Sequence, residues 1–282
     1  MDKEFERLAG VLRSRITDGT YLLGASLPSQ RDLADEFVVS RDTVQRALRE
    51  LAGEGWIESR RGSGSRVIKT QRIQSSTATS GSSPVTLGPL ISEAFQRPDV
   101  ALDVYTLTSE SLEAHVRLQA ERIRRRELRP QSITLRMLLP DESLAMPYPR
   151  SKSDPVDPRP AERMRETSRR TSASLRRLLR DLQTEELVPS AQVEIRRVPL
   201  VPAFKLYLLG GVEALHGMYE VIERRMELDT GEVIEALDVL GLGATLTHHV
   251  KDDDPDSPGS VFVDTMRSWF DSVWHRLSEA DG

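Results

Sequence analysis

Between residues 40 and 65 the chain gathers groups suited to reading a charged double helix. Ser40 opens a segment carrying Arg41, Gln45, Arg46 and Arg49, and Arg60-Arg61-Gly62-Ser63-Gly64-Ser65 follows shortly after. Arginine and glutamine pair with base edges in the major groove, while guanidinium and hydroxyl groups bind phosphate oxygens. The competing reading is a solvated helix face, which a row of arginines alone usually is. A second stretch of interest is Ala203 to Gly217, where Lys205 stands in an apolar run. A third is His248-His249, followed by Lys251-Asp252-Asp253-Asp254-Pro255-Asp256. Adjacent strand residues point to opposite faces, so the two histidines do not suit one metal ion. The acidic run reads as a solvated loop. Neither a metal nor a cofactor is expected.

The elements that position the first group follow from spacing. Phe5, Leu8, Leu12 and Ile16 recur at three- and four-residue intervals and predict a helix with one apolar stripe, ended by Gly19 and the Gly24–Pro28 segment. Ser29, with Asp32 three residues on, has the form of a capping box for a second helix carrying Leu33, Ala34 and Phe37. Val38-Val39 makes a compact turn and Ser40 caps a third helix. There Val44, Ala47, Leu48 and Leu51 face inward, and Arg41, Asp42, Gln45, Arg46 and Arg49 face elsewhere. Gly53 and Gly55 end it. Trp56 to Ser59 and Arg66 to Ile68 have strand character and flank the basic loop. A helix entering the major groove needs a polar first turn, and its free amides also favour phosphate. A basic loop can follow the backbone or enter the minor groove.

Residues 3 to 69 resemble the winged helix-turn-helix domain of GntR-type bacterial transcription regulators. The residues carrying the resemblance are Leu27-Pro28-Ser29, Arg31, Leu33-Ala34, Ser40-Arg41, Thr43-Val44, Arg46-Ala47-Leu48, Leu51, Gly55, Ile57 and Gly62-Ser63-Gly64. The resemblance implies that Arg31, Ser40, Arg41, Thr43 and the Gly62-Ser63-Gly64 wing tip contact DNA. Ser29, Gln45, Arg46, Arg49 and Arg61 complete the expected contact set. Gln30 replaces a usual Glu, a local capping matter. Gln45 replaces a common base-reading Arg, and Gln prefers adenine where Arg prefers guanine.

At 282 residues the chain is long enough for two cores. The absence of cysteine excludes disulfides and thiolate chemistry, and no apolar run spans a bilayer. A cytoplasmic protein with no membrane partner is expected. The net charge of −5 is uneven: residues 1–70 hold 12 basic and 11 acidic groups, the remainder 27 and 33. A mildly basic patch on an acidic body favours docking by one face. Residues 71–84, rich in Ser, Thr and Gly, read as a flexible linker between residues 1–70 and 85–282.

Residues 85–282 alternate strand-like and helix-like segments. Strands are expected at Val100–Leu107, Ser132–Leu139, Val193–Val198, Phe204–Leu209 and Ala214–Ile222, with one or two more in Val233–Val250. Helices are expected at Ser109–Leu128, Arg159–Thr184 and Pro258–Leu277, and Pro147–Pro160 reads as a long loop. The class is α+β: a winged helix-turn-helix linked to a larger mixed α/β effector-sensing and dimerisation domain around one sheet. Ala203 to Gly217 resembles the hairpin of the phospholipase D signature, HxKxxxxD. Lys205 keeps the lysine, but Ala203 stands at the nucleophilic His and Gly210 at the Asp. Hydrolysis by that route is not expected. A phospholipase D-like scaffold reused for binding would make Lys205 an anion contact; otherwise it is a strand-edge lysine. Arg124-Arg125-Arg126 and Arg176, Arg177 and Arg180 read as helix coats, and Trp269, Phe270 and Trp274 as core or dimer interface.

Together these features imply a regulator that binds a pseudo-palindromic operator in double-stranded DNA as a homodimer, modulated by an unknown small-molecule effector. The alternative is a DNA-localised enzyme acting on a phosphorylated small molecule through residues 85–282.

Overall fold

The computed structural model describes residues 3–17, 20–21, 24–53, 56–60, 64–67, 73–75, 87–228, 231–241 and 245–281. In the N-terminal head, α1 (Lys3–Thr17) buries Leu8, Leu12 and Ile16 fully, as their spacing dictates. Against them α2 (Gln30–Phe37) packs Leu33, and α3 (Arg41–Gly53) packs Val44, Ala47 and Leu51. Burial of each of these leucine, isoleucine and valine side chains contributes about 1.5–3 kcal/mol. The capping box at α2 is formed. The Asp32 amide donates to Ser29 Oγ, and the Ser29 amide donates to the Asp32 carboxylate. α2 ends on the left-handed Val38 (φ 54°), which turns the chain into α3. The wing strands β1 (Ile57–Arg60) and β2 (Gly64–Val67) are antiparallel. The Gly24 amide donates to the Val67 carbonyl and the Leu27 amide to the Ser65 carbonyl, which ties the wing to the α1–α2 connection.

Along the body the elements run β3 (Ile73–Ser75), α4 (Leu87–Ala94), β4 (Asp99–Tyr105), α5 (Glu110–Arg124), β5 (Ser132–Pro140), β6 (Arg150–Ser151) and α6 (Arg159–Thr184). Then come β7 (Ser190–Val198), β8 (Phe204–Leu209), β9 (Glu213–Met218), β10 (Glu220–Glu227), β11 (Val233–Leu240), β12 (Leu246–Val250), α7 (Pro258–Arg276) and β13 (Glu279–Ala280). One eight-stranded sheet has the order β13-β7-β5-β4-β8-β9-β12-β3. Its centre, β4, β5 and β7, is parallel, as crossovers through α5 and α6 require, and β8 and β9 follow as an antiparallel hairpin. Alternation divides the hairpin: Tyr207 and Leu209 join the core under α4, α5 and α6, while Leu206 and Leu208 join the core under α7.

The structure corrects four expectations. The body has two sheets, the second being β10-β11-β6. Ala214–Ile222 is therefore not one strand: the chain leaves the large sheet at Tyr219 and enters the small one. Its hydroxyl accepts the Leu107 amide at 2.9 Å and lies 2.9 Å from Thr106 Oγ1. The Pro147–Pro160 loop contains β6, and Ile73–Ser75 within the expected linker pairs with β12 at the sheet edge. Of the two readings of the α7 aromatics, core or dimer interface, the structure bears out core: Phe270 and Trp274 are buried on the sheet and Trp269 packs edge-on against Tyr105.

Candidate functional site

Ser40 caps α3, accepting the Thr43 amide at 3.1 Å, with its Oγ 2.9 Å from Thr43 Oγ1. Thr43 itself is buried, so it supports this cap from behind. Arg41, Gln45 and Arg49, spaced four apart, form an exposed row that begins at the capped end. Arg46 is also exposed but lays its guanidinium over the Phe5 ring, 4.8 Å from the centroid, tying α3 to α1. Ser29 and Arg31 are exposed at the start of α2, where Arg31 lies 3.9 Å from Asp35. Gly64 is exposed with φ +76°, a conformation that suits glycine at a turn end. Arg61, Gly62, Ser63 and Gly55 lie outside the described residues, as does most of the expected linker at 71–84.

A cavity of about 100 Å³ opens in the body beyond the carboxyl end of β4, where open α/β sheets bind their ligands. Thr106, Thr108, Ser111, Lys205, Tyr219 and Arg224 are among its lining residues. Lys205 is not a strand-edge residue. It sits on interior strand β8, is 3% exposed, and donates to the Gly241 carbonyl. Its ammonium lies 5.2 Å from the Tyr219 ring centroid. Burial drives its pKa down to about 7, with Glu110 opposing the shift. Burial likewise pushes Tyr219 up to about 12, so its hydroxyl stays protonated. Arg224 meets Asp238 at 2.5 Å, and its Nε is buried without a hydrogen-bond partner among the described residues. Glu110 and Asp238 line the cavity too, so it offers hydroxyl groups and the Lys205 amine beside a paired Arg224 and Asp238.

The family model described as "Bacterial regulatory proteins, gntR family" matches residues 5–67, the stretch from α1 through β2. The head is a gntR-type winged helix-turn-helix domain. The Exu regulon transcriptional regulator of Escherichia coli (strain K12) is 39% identical over 85 residues, 30% of this chain and 33% of that protein. The Uxu operon regulator of Haemophilus influenzae is 33% identical over 70 residues, 25% of this chain and 26% of that one. The chain therefore matches a third or less of the length of these relatives. Among solved structures, a GntR family transcriptional regulator from Listeria monocytogenes is 31% identical, covers 24% of this chain and 60% of that one, and has a TM-score of 0.23.

The gntR-type head rests on the body through α1 against α5. Gly10 lies at this contact, where the Arg117 side chain passes over it. Glu50, near the end of α3, accepts from Arg13 of α1 and pairs with Arg170 of α6 at 3.0 Å. The other sequence candidates are held elsewhere. His248 Nε2 lies 3.0 Å from Glu213, while His249 stacks on Phe262, so the two face opposite ways. Arg124 pairs with Glu121 and Glu185, and Arg176 with Asp281. Sequence reasoning missed Tyr219, Arg224 and Asp238. A signal existed for two of them. Arg224 sits in phase with Ile222 and Met226, and Asp238 with Ile234 and Ala236, so each places a charge on the apolar phase of a strand.

Proposed function

We propose that this chain is a gntR-type transcription regulator that binds a pseudo-palindromic operator in duplex DNA as a homodimer, with a small anionic ligand in the C-terminal domain changing its operator affinity. The observation that carries the DNA-reading role is the exposed row Arg41, Gln45 and Arg49, which starts at the Ser40 cap of α3. Those groups suit base edges, and the capped helix end suits phosphate. Ser29 and Arg31, exposed at the start of α2, join the row in this reading; Arg61, Gly62, Ser63 and Gly64 complete the contact set on the ground of their sequence, with Thr43 supporting the cap. The Exu and Uxu relatives are named as regulators, which favours the same role here. Two half-sites read by two heads double the sequence information.

The body is the sensor in this reading. Its β8–β9 hairpin fits a phospholipase D-like scaffold that keeps Lys205 but has Ala203 and Gly210 in place of the groups for nucleophilic attack. Lys205 is the anion contact. Coupling to the head runs along α6, which lines the cavity with Arg163, Met164 and Thr167 and then holds Glu50 through Arg170. A ligand changes operator affinity only by favouring one head arrangement over another, and α6 touches both places. Genome-wide mapping of bound sites together with a phosphodiesterase assay tests this reading. Discrete sites and no turnover are expected; Lys205-dependent turnover, or binding without site preference, would overturn it.

A further inference from the structure

Among the described residues, β10 ends the three-stranded sheet with its outer edge unpaired. An open edge of eight residues is a template for another strand. Val221 on this strand is 57% exposed, so the edge carries some apolar surface as well. β10 turns Val221, Glu223 and Arg225 to its exposed face, where Glu223 also accepts from Lys152 at 2.6 Å, and Ile222, Arg224 and Met226 inward.

A second copy pairing antiparallel about a two-fold axis must match residues on the same face, so only registers centred on a residue are allowed. A register centred on Glu223 sets that carboxylate against its own copy, and one centred on Arg225 does the same with guanidinium groups. The register centred on Arg224 sets Glu223 opposite Arg225 of the second copy, twice, and Ile222 opposite Met226 of the second copy, twice. Opposite charges across strands stabilise the pair and like charges destabilise it. The two Arg224 at the axis arrive already paired with Asp238 at 2.5 Å.

We propose that the chain dimerises through the β10 edge in the register centred on Arg224, joining two small sheets into one. This rests on the homodimer reading above and names its surface. Because Arg224 and Met226 also line the Lys205 cavity, the seam forms beside the ligand and lets the ligand act on dimer geometry.

Sedimentation equilibrium of the full-length chain tests it. Wild type is expected to be dimeric. Glu223→Arg and Arg225→Glu should each raise the dimer dissociation constant on the order of tenfold or more, and the double reversal should restore it. The chain has no cysteine, so mild oxidation of a Glu223→Cys/Arg225→Cys chain should give covalent dimers, and either single variant far fewer. A monomeric wild type would overturn the homodimer reading and the seam with it. A dimeric wild type that both single reversals leave unchanged, and that does not cross-link, would overturn the seam alone.

Discussion

Arg41 and Lys205 carry the same charge type in opposite settings, and their settings decide what each can do. Arg41 stands in water at the capped end of α3, free to meet a base or phosphate. Arg41→Ala is expected to cost about 1–3 kcal/mol of operator binding, measured by fluorescence anisotropy. An unchanged dissociation constant would remove it from the interface. Lys205 is buried, and its folded pKa of about 7 lies below the ordinary 10.5. The unfolded chain therefore holds more protons between those values, and stability falls as pH falls from 10.5 to 7. Lys205→Met removes that loss. Its Tm gain over wild type should be larger at pH 7 than at pH 10, and an equal gain at both would contradict a depressed pKa. The sequence marked both residues. It did not reveal the burial of Lys205, because that depends on which neighbours flank β8, and these come from distant segments.

Helices were legible wherever period and cap agreed. Phe5, Leu8, Leu12 and Ile16 set α1, and Ser29 and Ser40 set the starts of α2 and α3. Ser40→Ala should lower unfolding stability by about 1 kcal/mol through loss of the Thr43 amide's partner. Chemical denaturation checks this, and a shift below about 0.2 kcal/mol would show that the cap is idle. The strands expected on either side of Gly210-Gly211 form an antiparallel hairpin, β8 with β9. The break at Tyr219 was not legible, since Ala214 to Ile222 reads as one strand and the residues that meet Tyr219, Thr106 and Leu107, come from a distant segment. The two-residue β6 was equally hidden, because its strand character comes from β11 and not from its own residues. The α6 contact between head and body was invisible too, as Glu50 and Arg170 lie on ordinary polar faces. Arg170→Ala should leave ligand affinity within about twofold while reducing the ligand's effect on operator binding, because coupling mutations act in the 0.5–2 kcal/mol range. An undiminished effect would mean that coupling takes another route.

At the scale of the whole molecule, charge division and fold agree. The near-neutral head exposes Arg41, Arg46 and Arg49 on α3, while residues 71–282, with 27 basic and 33 acidic groups, are the more acidic part. Two such heads brought together by the body would read two half-sites about one helical turn apart. Selection of duplexes from a random library by the full-length protein tests this most directly, with the Gln45→Arg chain run in parallel. The expected result is an inverted repeat whose half-sites change a base preference in the Gln45→Arg chain. A pool with no shared motif, or a lone half-site recovered unchanged with both proteins, would contradict a dimeric regulator that reads its operator through α3.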